Sequence, residues 1–180
     1  MFKTLYRLAL IGGAIAIGAA SSQAQNLDPE NTLHLTLKCG KVIIKLRPDV
    51  APKHVAQVKT LTRRGFYDGI IFHRVIEGFM AQTGDPTGTG TGKSDLPNIP
   101  AEFSKVGFHR GVVGAARSQS PDSANSQFFI MFKAGRFLDG KYTVWGQVMS
   151  GMTCVDKINR GEPPANPDKI IKMQVAADVK

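Results

Sequence analysis

Leu33, Leu35 and Leu37 alternate with polar residues, and beyond Lys38-Cys39-Gly40-Lys41 the alternation resumes at Val42, Ile44 and Leu46. A period of two belongs to a half-buried strand, so the two runs predict a β-hairpin that opens an antiparallel sheet. The spacing then changes. Val55, Val58 and Leu61 share a helical face, with Asp49 placed to cap the helix, Pro52 in its first turn and Gly65 just past its end. Lys59, Arg63 and Arg64 sit toward its C-terminal end, where positive charge complements the helix dipole. Further β-like runs fall at 70–75, 111–116, 127–132, 143–148 and 170–175. Between the first two, residues 83–100 are dense in Gly, Thr and Pro and predict a long loop rather than a domain linker, because strands resume after it. Met152, Val155 and Ile158 predict a second short helix ended by Gly161, and Pro163, Pro164 and Pro167 a stiff, irregular connection. Several short strands and two helices point to an all-β barrel or sandwich.

The first residues follow another logic. Lys3 and Arg7 precede an apolar run from Leu8 to Ala20, and Ser22-Gln23-Ala24 is a small-residue cleavage pattern. Gly12, Gly13 and Gly18 interrupt the run, which falls short of the roughly 20 residues that span a bilayer. A secretory signal over 1–24 is expected, then a polar flexible leader over 25–31, then one domain over 32–180. No later stretch is apolar and long enough to anchor the chain in a membrane.

Composition adds little beyond this. At 42% hydrophobic the chain can build an ordinary core. Lys3 and Arg7 would leave with the signal and no acid would, taking the formal charge from +9 to +7. The bases are scattered, which fits a solvated surface with some affinity for acidic partners rather than a nucleic-acid tract. Cys39 and Cys154 form no CxxC pair. An oxidising compartment would let them join if their Cα atoms came within about 4.4–6.8 Å, and two unpaired small core residues are the alternative. Neither cysteine nor histidine spacing makes a metal-ligand set, so no metal or cofactor is expected. Gly84, Gly88, Gly90 and Gly92 match neither phosphate-binding glycine pattern, and a flexible wall is the better account.

Chemistry enters with two segments. Phe72-His73-Arg74-Val75-Ile76-Glu77-Gly78-Phe79-Met80-Ala81-Gln82-Thr83-Gly84-Asp85 closely resembles the signature of the cyclophilin family. Ser126-Gln127-Phe128-Phe129-Ile130 resembles the family's core strand, and residues 137–146 resemble the segment that follows it. The likeness runs in matching order from about Leu33 to the C-terminus. It implies a closed eight-stranded antiparallel β-barrel capped by two α-helices, with a shallow groove on its outer surface, and a peptidyl-prolyl cis/trans isomerase acting on proline-containing polypeptides as a monomer. A non-catalytic, chaperone-like binding module is the rival reading. The carry-over makes Arg74 the catalytic arginine, Gln82 its polar partner, and Phe79, Met80, Phe129 and Leu138 the proline pocket. Ala116 would be a backbone contact on the groove edge and His73 a structural or groove-lining residue, since bond rotation transfers no proton. Phe137 stands where many eukaryotic relatives carry tryptophan, and Tyr142 where they carry histidine. Loss of the indole N–H removes a donor, so weak cyclosporin binding is expected; nanomolar affinity in a titration would exclude it.

Overall fold

The computed structural model describes residues 27–179. The expected signal segment lies outside the described residues. The described end of the polar segment expected to be a flexible leader is tied down: Pro29–Asn31 form one 3-10 turn capped by Asp28, and the Glu30 carboxylate bridges Lys59 and Arg63.

The hairpin forms as its alternation requires, β1 (Thr32–Leu37) against β2 (Gly40–Leu46) with Leu33 opposite Ile44 and Leu35 opposite Val42. Then come α1 (Pro52–Arg63), β3 (Arg74–Ile76), β4 (Met80–Thr83), β5 (Val112–Ala115), β6 (Phe128–Met131), β7 (Val144–Ser150), α2 (Met152–Val155) and β8 (Lys172–Val175). The eight strands make one antiparallel sheet in the order β3-β4-β6-β5-β7-β2-β1-β8. Its main core joins Leu33, Leu35, Ile44, Phe72, Val113, Phe128, Ile130 and Trp145 with the buried face of α1, Val55, Val58 and Leu61.

Three expectations are corrected. The strand ladder is not closed, because the terminal strands β3 and β8 do not pair. What spans the gap is an isolated bridge between Ile71 and Lys169 and another between Val75 and Gly161. The chain facing β3 carries Pro163, Pro164 and Pro167, which have no N–H to give a ladder. Next, Asp49 does not cap α1. Its carboxylate is held by the Arg47 guanidinium at 2.7–3.1 Å, and the helix N-terminus is met from 48 and 49 residues away, where Glu102 accepts from the N–H groups of His54 and Lys53 at 3.0 Å each. Third, α2 closes after Val155, so Ile158 is buried in the core from the segment beyond the helix.

Cys39 and Cys154 are joined in a disulfide with Cα atoms 5.3 Å apart, tying the β1–β2 turn to α2 across 115 residues of sequence. Trp145, only 1% exposed, packs edge-on to Phe128 in the core. No helix among the described residues is long and apolar enough to cross a membrane.

Candidate functional site

Register across four neighbouring strands assembles the site. Arg74 on β3 lies opposite Gln82 on β4, Gln82 opposite Phe129 on β6, and Phe129 opposite Gly114 on β5. The adjacent row, Val75, Ala81, Ile130 and Val113, points into the main core. Since side chains alternate faces along a strand, Arg74, Gln82 and Phe129 must stand on the other face, and Met80, two residues before Gln82, stands with them.

That face carries a second apolar cluster of Met80, Phe108, Val112, Phe129, Met131, Leu138 and Val144. It supports an open cavity of about 260 Å³ lined by Arg74, Phe79, Met80, Gln82, Ala116, Arg117, Phe129, Phe137, Leu138 and Tyr142. Met80, Phe129 and Leu138 are nearly buried and form its floor. Phe79 and Phe137 pack ring on ring, 5.3 Å between centroids, with Phe137 largely exposed at the rim. Phe137 and Leu138 reach the cavity because Arg136–Leu138 wind into a single 3-10 turn.

The polar rim is a relay. The Arg74 Nε donates to Glu162 at 2.7 Å and its Nη1 to Gln82 Oε1 at 3.5 Å; Gln82 Nε2 donates to Gln127 Oε1 at 2.9 Å; Gln127 Nε2 reaches the carbonyls of Gly90 and Gly92 at 3.0 and 2.8 Å. The glycine-rich loop is itself organised by Asp85, whose carboxylate accepts from Thr87, Gly90 and Gly92. Burial pushes the Asp85 carboxyl up, but hydrogen bonds from Thr87, Gly92 and Gly90 together outweigh it and hold it below the usual aspartate value. Gly92 has to be glycine, since a Cβ there would run into Asp85 and Thr87.

Every residue expected in the pocket lines this cavity except His73. His73 is 5% exposed, both ring nitrogens lack partners, and it underlies Gly90 beside a second cavity of about 350 Å³ that also touches Arg74, Gln82, Glu162 and Pro163. Burial holds its imidazole below the ordinary histidine value, the Asp85 charge opposing this and the Arg74 charge adding to it. A third cavity of about 440 Å³, lined mainly by polar residue types, continues from Gln82 and Ala116 toward Lys93 and Asn125, so the apolar cavity lies within a longer groove.

Sequence reasoning missed Gln127, Glu162 and Arg117. Arg117 lies 4.3 Å over the Tyr142 ring and donates to the carbonyls of Ser118, Gln119 and Lys141, joining the two walls flanking the apolar cavity. An arginine in a basic chain gives no sign of this; only the meeting of two loops does. Among the described residues, no cluster of three or more His, Cys, Asp or Glu side chains is placed to hold a metal ion.

Comparison with known proteins bears on this groove. The profile of the family described as "Cyclophilin type peptidyl-prolyl cis-trans isomerase/CLD" matches residues 32–175. A Brucella suis protein named "Probable peptidyl-prolyl cis-trans isomerase" is 56% identical over 183 residues, covering 93% of each chain. A Schizosaccharomyces pombe peptidyl-prolyl cis-trans isomerase is 36% identical, covering 78% of this chain and 96% of its own. Among solved structures, a cyclophilin from Hirschia baltica superposes with TM-score 0.78 at 31% identity over 86% of this chain and 77% of its own. A Cryptosporidium parvum cyclophilin-type isomerase, crystallised in the presence of the dipeptide Ala-Pro, gives 0.74 at 26% identity over 80% and 98%.

Proposed function

The chain belongs to the cyclophilin-type peptidyl-prolyl cis-trans isomerase family, and from that premise we propose that it turns X-Pro bonds of exported polypeptides without covalent chemistry, Arg74 stabilising the twisted amide. Rotation about the bond breaks amide conjugation at a cost of about 18–20 kcal/mol, and uncatalysed exchange takes tens to hundreds of seconds. As the bond twists, the proline nitrogen becomes pyramidal and gains a lone pair. A donor aimed at that nitrogen therefore stabilises the transition state more than the planar ground state. Arginine suits the task, being permanently charged and rigid.

The observation that carries the reading is the apolar cavity of about 260 Å³ lined by two guanidiniums, Arg74 and Arg117, of which Arg117 is engaged by the carbonyls of Ser118, Gln119 and Lys141. A cavity of that size suits a pyrrolidine ring. Its Phe79, Met80, Phe129 and Leu138 surfaces would strip water from the bound bond and strengthen the Arg74 contact. Turnover on the order of 10³ s⁻¹ against about 10⁻² s⁻¹ uncatalysed asks the site for about 7 kcal/mol, within reach of one charged donor plus pocket complementarity.

Export rests on the basic, apolar and small-residue sequence of residues 1–24 and is supported by the disulfide, a bond that persists in oxidising compartments. The deciding experiment follows cis-to-trans relaxation of an Ala-Pro peptide with the mature protein and with Arg74→Ala, circular dichroism checking that both are folded. The wild type should accelerate exchange and the folded variant should lose roughly a hundredfold or more. A folded wild type that leaves exchange unchanged would mean a binding groove and no isomerase.

A further inference from the structure

We infer that Glu162 is a positioning residue for Arg74, holding its guanidinium at the rim of the proline pocket; the inference rests on the isomerase reading above. Arg74 has two side-chain partners among the described residues. Its contact with Gln82, at 3.5 Å, lies at the limit of a hydrogen bond, whereas the Nε bond to Glu162 Oε2 is 2.7 Å. The short bond is the one that fixes the side chain.

The pairing is built into the backbone. Val75 and Gly161 exchange both backbone hydrogen bonds, at 2.8 and 2.9 Å, in an antiparallel bridge. One step back from Val75 is Arg74, and one step on from Gly161 is Glu162, so the bridge sets the two side chains opposite each other as a cross-strand pair. Gly161 lets the chain turn into the proline segment directly after the bridge: a Cβ there would sit 2.5 Å from Pro164 Cα, and its φ of +146° disfavours other residues. Glu162 thus reaches Arg74 from a segment that supplies no wall to the apolar cavity and lines instead the neighbouring cavity beside His73.

The geometry decides what the carboxylate does. By taking Nε it ties down the inner edge of the guanidinium and leaves Nη2 without a protein partner among the described residues, available to a proline nitrogen in the cavity that Arg74 lines. A neutral amide oxygen at the same place could accept the same bond. Orientation, rather than charge, is therefore the quantity that Glu162 supplies, and Gln is the substitution that separates the two.

The experiment measures kcat and KM for an Ala-Pro peptide with wild type, Glu162→Ala and Glu162→Gln, and repeats Glu162→Ala in an Arg74→Ala background using exchange spectroscopy to read the residual rate. The Arg74 Nε–H resonance is recorded in parallel on ¹⁵N-labelled protein. Glu162→Ala should lower kcat about threefold to tenfold with KM little changed, short of the loss from deleting a transition-state donor. Glu162→Gln should recover most of it, the Nε–H resonance should be lost from the alanine variant alone, and the Arg74→Ala background should show no further loss. Wild-type kcat in Glu162→Ala, a glutamine variant as slow as the alanine one, or an equal loss without Arg74 would each overturn the inference. An inactive wild type would instead sink the isomerase reading, with the Nε–H resonance still deciding whether Glu162 holds Arg74.

Discussion

Gly114 shows how closely the pocket depends on single atoms. It lies opposite Phe129, and a Cβ at this position would come within 2.6 Å of both the Phe108 and Phe129 rings, which stack 5.7 Å apart beneath the pocket. Gly114→Ala should therefore push the Phe129 ring toward the cavity, raising KM for an Ala-Pro peptide several-fold, with thermal stability reduced by about 1–3 kcal/mol from overpacking. Unchanged KM together with unchanged stability would show that the two rings part at no cost. Arg74, Gln82, Phe79, Met80 and Phe129 were legible in the sequence because they fall in two continuous segments whose order carries the likeness. The roles of Gly114, Gln127, Arg117 and Glu162 were not, although Gln127 falls inside the second of those segments, because each depends on a partner 15 to 88 residues distant that strand register, an isolated bridge or the meeting of two loops brings near.

At the scale of elements, period-two and period-3.6 patterns located the hairpin and α1, since each buries one face against a continuous core. Caps were less legible. Asp49 has the right chemistry to cap α1, yet it lies two residues before the N-cap Ala51 and Arg47 takes its carboxylate, while Glu102 arrives from the loop before β5. The same Glu102 carboxylate accepts from His54 Nδ1 at 2.7 Å, while its backbone N–H donates to Thr143 Oγ1 at 3.0 Å, beside the Tyr142 wall of the pocket. His54 is 2% exposed and its Nε2 has no partner, so a second proton on the ring would be unsupported. Burial accordingly keeps the imidazole below the ordinary histidine value, against the pull of Glu102. Glu102→Ala strips the cap from two N–H groups and orphans a buried ring nitrogen together. Its expected cost is about 1–3 kcal/mol of stability in urea titration; a midpoint equal to wild type would mean that water caps α1 as well as Glu102 does. The strand β4 was also missed, because Met80–Thr83 is buried at every position but Gln82 and shows no alternation.

For the whole molecule, the histidines and carboxylates with displaced affinity, the groups that titrate below neutrality, all favour the same direction of pH. Burial lowers His34, His54 and His73 below the ordinary histidine value of 6.5. Arg63 and Lys59 hold Glu30 down to about 2, and Asp49, Asp85, Glu102 and Asp156 are also lowered. A group whose affinity for protons is lower folded than unfolded contributes stability that is complete above its unfolded value and is lost as pH falls through its folded one. Folding should therefore weaken in two overlapping stages on acidification. The buried histidines act first, from about pH 6.5 downward, and the carboxylates follow below about 4.5. The formal charge of +9 adds self-repulsion as carboxylates are neutralised. Thermal midpoints measured from pH 8 to pH 4 should be level above about 7 and then fall continuously, and a maximum below pH 6 would contradict the argument. Turnover per folded molecule should stay flat from pH 7 to 8, because the proposed rotation moves no proton. A bell-shaped kcat profile centred in that range would point to a titrating catalytic group such as His73 and away from a mechanism resting on Arg74.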